Sequence, residues 1–122
     1  MTRVILVQEP LRSVGRGRVV PRIDYSTLEP YGKIEFLFSW GQLKEDDALE
    51  NTTELIWRLR AKLHNFSDRD FLVCLGNPAL IGMAVAIAAE CNNGRVHILD
   101  WLRDHGRYRV VDMDLNCQPV RG

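Results

Sequence analysis

The chain has 122 residues, 46% hydrophobic and 26% charged, which fits a single globular domain of ordinary soluble composition and leaves no room for a second. Sixteen basic and sixteen acidic residues cancel, so bulk charge argues for neither nucleic acid nor a membrane surface. Cys74, Cys91 and Cys117 form no close pair or metal spacing, and the opening Met-Thr-Arg-Val-Ile-Leu-Val is too short for a secretory leader, so a reducing, cytoplasmic setting is expected.

Residues 3–7 predict a short buried strand, because Val4, Ile5, Leu6 and Val7 are contiguous and mostly β-branched. Residues 11–32 follow as a loop-rich basic connection. Within it, LRSVGRGRVVPR carries Arg12, Arg16, Arg18 and Arg22 and no acid, with Gly15 and Gly17 freeing the backbone. Such a mobile loop could grip a phosphate, an RNA backbone or an acidic protein face. The competing expectation is a solvated loop whose arginines pair with the acidic cluster near residue 46. Tyr25 and Tyr31 are expected over the sheet edge. Residues 33–40 alternate, with Ile34, Phe36, Phe38 and Trp40 on one face, and predict a half-buried strand near an edge.

An amphipathic outer helix is expected from about Asp46 to Phe66. Its inner side carries Leu55, Ile56, Leu59, Leu63 and Phe66, and its outer side Glu54, Arg58 and Lys62. Glu54 and Arg58 have the spacing of a favourable pair. Trp57 departs from the pattern and lies on the flank with Arg60, where it is either a partner anchor or a ring packed under the arginine stem.

Residues 70–93 organise the chain. The run Phe71, Leu72, Val73, Cys74 and Leu75 is apolar on both faces, as in the middle of a parallel sheet. Asn77 can cap the following helix, Pro78 suits its first position, and Gly94 can end it. Between Ala79 and Ala89 that helix has no polar side chain, so cover is expected on both its sides. Residues 95–102 and 108–115 then form a hairpin about Gly106, and 116–122 is a polar tail. The architecture expected is an α/β domain over residues 1–122: a small Rossmann-like sheet of mostly parallel strands, two helices and a C-terminal antiparallel hairpin. If both crossovers run one way, both helices share a face and the other stays bare, which a homodimer or a reversal of strand order would resolve.

No catalytic set emerges. There is no GxSxG elbow, no P-loop lysine and no GxGxxG; His64, His97 and His105 have no metal spacing, and no cofactor is implied. Asp112 and Asp114 share a strand face, where paired acids are more often solvated than bound to a cation. Glu90 marks where the apolar helix meets water. The one candidate ligand position is the turn Gly76, Asn77 and Pro78, where helix N–H groups could hold a nucleotide or another phosphate-containing anion.

The run DFLVCLGNPALIGMAVAIAAECNNGRVHILDW, preceded by YGKIEFLF and followed by RYRVVDMDL, resembles a family of small uncharacterised proteins of tailed bacteriophages over about residues 31–115. The first thirty residues carry no matching feature. The resemblance implies a viral product acting in the infected bacterial cytoplasm and brings no functional residue with it. A non-catalytic module that binds a host or phage protein through Trp57, Arg60 and the basic loop is therefore expected. The alternative is a ligand binder or enzyme at residues 76–78. Nucleic acid is a less favoured partner and a membrane is not expected.

Overall fold

The computed structural model describes residues 2–39 and 51–120. The strand end expected at Trp40 and the helix start expected at Asp46 lie outside these.

Five strands form the main sheet: β1 (Arg3–Gln8), β4 (Lys33–Phe38), β5 (Asp70–Val73), β6 (Arg95–Leu102) and β7 (Arg107–Asp114), in the order β4-β1-β5-β6-β7. All pairs are parallel except β6 with β7. The apolar strand at residue 71 is central, as both of its covered faces require, and β4 lies at an edge. The neighbours of β5 are β1 and β6, so the N-terminal strand inserts between the two strands that the first helix connects. Strand order was beyond the reach of local patterning, and here it decides what covers the sheet.

From β1 the chain moves outward to β4 by way of residues 9–32. It then returns across β1 to β5 through helix α1 (Thr52–Leu63), and goes on to β6 through helix α2 (Pro78–Cys91). Steps in opposite directions pass over opposite faces when crossovers keep one hand. Accordingly, Ile5, Val7, Leu72 and Val96 pack with Leu55, Leu59 and Leu63 of α1 and with Leu80, Ala84 and Ala88 of α2. On the other face Val4, Leu6, Val73 and Leu99 pack with Leu28, and Ile23, Tyr25 and Tyr31 lie against them. The expected bare face is thus partly covered from within the chain. Two single-turn 3-10 helices, Tyr25–Thr27 and Glu29–Tyr31, place these rings edge-on at 6.1 Å to Phe36 and 5.6 Å to Phe71.

The basic stretch expected as a loop is ordered differently. Residues Leu11–Gly15 (β2) and Arg18–Pro21 (β3) form a separate antiparallel ribbon. Its turn is Arg16 and Gly17, both at positive φ (53° and 71°), the backbone that two-residue hairpins need. Arginine is an unusual occupant of that turn, which is why the residues alone read as irregular.

Helix α1 begins at Thr52, with the Asn51 side chain accepting from the Glu54 N–H at 3.0 Å. The expected Glu54–Arg58 pair is absent among the described residues; the Arg58 guanidinium sits 5.2 Å over the Phe38 ring instead. Helix α2 has the expected cap and first-position proline. Its uniform apolarity does not mean cover all round: Ala79, Gly82 and Ala86 face solvent, and small side chains make that exposure cheap.

At the amino ends of β1 and β5, Arg3 donates through Nε and Nη2 to both oxygens of Asp70 at 3.0 and 2.8 Å. Asp70 is 2% exposed and also accepts the Ser67 N–H at 2.9 Å. Among the described residues no helix is long and apolar enough to cross a membrane.

Candidate functional site

In an open parallel sheet the ligand crevice lies beyond the carboxyl ends of the strands, where the strand order reverses. Here that point lies between β1 and β5, and it brings Gln8 against Gly76 and Asn77. The Asn77 N–H donates to Gln8 Oε1 at 2.6 Å, while the Asn77 carboxamide oxygen accepts from the N–H groups of Ala79 (2.9 Å) and Leu80 (3.4 Å). Pro78 has no N–H to offer. The N–H groups of Asn77, Ala79 and Leu80 at the helix start are therefore engaged by the protein's own oxygens. Gly76 makes the fit possible: at φ 124° it takes a backbone that side chains rarely adopt, and a Cβ there would meet Gln8 Oε1 at 2.2 Å. Gln8 was not singled out from the residues, because its contact spans 69 positions and leaves no local signal.

Trp57 and Arg60 do come together. The Arg60 guanidinium lies 5.1 Å from the Trp57 ring centroid and is held by Glu90 of α2 through two hydrogen bonds of 2.8 Å. Trp57 remains 63% exposed. Glu90 thus does more than mark the water boundary: it fixes the arginine on which the indole rests. That hydrogen bond is also the main reason the Glu90 carboxyl lies below its ordinary range.

Arg12, Arg16, Arg18 and Arg22 are all exposed on or beside the β2–β3 ribbon, and among the described residues none is paired with a carboxylate. The acidic cluster expected to pair with them lies outside the described residues. The ribbon and the Trp57 flank belong to different elements.

The remaining reactive groups do not assemble. Burial pushes the Cys74 and Cys91 thiols up, the opposite of what an activated nucleophile requires. His97 Nε2 is 3.5 Å from Asp112 Oδ1 on an exposed sheet face, and His64 Nδ1 lies 2.9 Å from the Ala61 carbonyl oxygen. No group of three His, Cys, Asp or Glu among the described residues could hold a metal. Lys62 is more unusual: burial, and then Arg58, push its ammonium pKa down, while it donates to the Leu37 carbonyl and faces the Phe38 ring. No acid, base or nucleophile is placed beside it among the described residues.

No curated protein and no solved structure matches the chain. A family profile, described as Phage Pam3 gp32-like protein, matches residues 2–115. The match takes in the first thirty residues, so the arginine ribbon and the N-terminal strand fall within the family region along with the central strand and α2. The chain belongs to the Phage Pam3 gp32-like protein family.

Proposed function

We propose that this protein is a non-catalytic accessory factor of the phage that works in the infected cell by binding another protein, of host or phage origin. The observation that carries this is Trp57. A large ring left mostly in water yet braced by Arg60 and Glu90 has already lost the freedom it would otherwise surrender on binding, and tryptophan and arginine are the residues that most often anchor interfaces. Beside it, α2 offers a solvent-facing strip of small apolar residues, Ala79, Gly82 and Ala86, that lets a partner approach closely. The plugged switch point weighs against the alternative of a nucleotide or phosphate ligand at residues 76–78. The exposed arginine ribbon, which has no carboxylate partner among the described residues, fits an acidic patch on the same partner.

Capture from infected cells tests this, with wild type, Trp57→Ala and the charge reversal Arg16→Glu/Arg18→Glu as baits. A partner retained by wild type and lost with Trp57→Ala, at an unchanged melting temperature, is the expected result. Identical captures by wild type and Trp57→Ala would remove the basis for this function, as would a native mass spectrum showing a tightly held nucleotide.

A further inference from the structure

We infer that the β2–β3 ribbon is an arm for double-stranded DNA, its arginines contacting phosphates on the two walls of a major groove. The register places the charges. Arg12 stands opposite Val20, and beyond the end of β3 the Arg22 N–H bonds the Pro10 carbonyl at 2.7 Å in the same register. Directly opposed residues share a face and neighbours along a strand alternate, so Arg12, Arg18 and Arg22 lie on one face of the ribbon with Val20 among them. The opposite face carries no charge, and Arg16 is at the tip. A loop gives no such alignment, which is why the stretch read as sequence alone did not favour nucleic acid.

The geometry matches a groove. Along the ribbon Arg18, Arg12 and Arg22 follow one another at steps of about 6.6 Å, two residues of strand rise each. Arg12 projects from β2 and the other two from the β3 side, so the cations stand on both strands. A B-form major groove, about 12 Å wide and about 8.5 Å deep, admits a two-stranded ribbon, and arginines on both strands then reach both phosphate walls. Every residue from Arg12 to Val19 is exposed, and the ribbon is a sheet separate from the five-stranded one, so it is open to such walls.

Charge and composition select the occupant. Residues 11–22 carry four arginines and no acid, whereas the rest of the chain carries twelve basic and sixteen acidic residues. A polyanion is therefore drawn to the arm and turned away by the body. All four cations are arginines, whose forked donors suit phosphate oxygens. Single strands are held by stacking on aromatic rings, and residues 11–22 contain none. The major groove of double-stranded RNA is too deep and narrow for side chains to read. An acidic protein patch would attract the same arginines, but only the duplex repeats its charge evenly on two sides, at one per about 1.7 Å of axis. The Trp57 flank lies on another element, so the arm and the protein contact stand or fall separately.

Fluorescence anisotropy of a labelled DNA duplex with the whole protein, repeated over a series of salt concentrations, tests the arm. Four phosphate contacts give the logarithm of affinity a slope of about −3.6 against the logarithm of salt, a loss of about 100-fold between about 50 and 200 mM. This wild-type slope counts the contacts without any variant. Arg12→Gln, Arg18→Gln and Arg22→Gln should each weaken binding and flatten the slope by about 0.9. Arg69→Gln, exposed in the turn before β5 at the other end of the sheet, should leave both unchanged. No saturable binding at about 50 mM salt, a slope that the ribbon variants do not alter, or tighter binding to a single strand of the same sequence would each overturn the inference. Polyglutamate bound more tightly than the duplex at equal charge would overturn it too, and would assign the arginines to an acidic protein patch.

Discussion

Replacing Gly76 by alanine tests whether the strand rim is closed in the way the structure describes. The new Cβ would stand 2.2 Å from Gln8 Oε1 and 2.8 Å from the next two side-chain carbons, so the glutamine must swing away and release the Asn77 N–H. Holding a side-chain residue at φ 124° costs about 1–3 kcal/mol. The lost hydrogen bond adds about 1 kcal/mol. The sum is about 3 kcal/mol, which for a chain of this length lowers the melting temperature by about 10 °C. Gln8→Ala alone loses only the bond, about 1 kcal/mol. The double variant loses that bond once and keeps the strain, so it should also cost about 3 kcal/mol, about 1 kcal/mol less than the two singles added together. Urea unfolding of the four proteins measures the cycle. Additivity within about 0.5 kcal/mol would refute the contact between Gln8 and the turn. A near-neutral Gly76→Ala would refute the strained backbone as well.

Other perturbations reach the same elements by different routes. Asn77→Asp keeps the cap oxygen and adds charge at the helix N-terminus, so stability should stay within about 0.5 kcal/mol of wild type; a large loss would mean that the carboxamide nitrogen has a role the geometry does not assign. Arg3→Met strands the Asp70 carboxylate, 3% exposed, and should cost about 3–5 kcal/mol in urea unfolding. Arg3→Met/Asp70→Asn removes the stranded charge and should recover part of that loss; no recovery would mean that packing around Arg3, not its charge, is what matters. Glu90 has a folded pKa below its ordinary 4.5, so its pairing with Arg60 is intact above 4.5 and is lost as pH falls through the lower folded value. Fluorescence should therefore record a change around Trp57 below pH 4.5 that is missing in Glu90→Gln. A transition shared by both proteins would break the link.

Local signals carry the parts of this fold in which start, stop and periodicity agree. Helix α2 has its cap oxygen, its proline and a left-handed exit, with Gly94 at φ 82°, all within one stretch of sequence. The alternation Val96, Ile98 against His97, Leu99 likewise sorts β6 between the two faces. Strand neighbours are another matter, because β1 is inserted between β4 and β5 by packing, and no periodicity records that. The cover on the second face was missed for a related reason: Ile23, Tyr25, Leu28 and Tyr31 are spaced by 3-10 turns and read as punctuation, although Leu28 is fully buried. At the candidate site the Trp57–Arg60 pair was legible because three positions on a helix share a flank. Its brace Glu90, thirty positions away, was not. Closure of the rim was illegible in the same sense, since a glutamine ending one strand and a glycine ending another announce nothing until the strands are side by side.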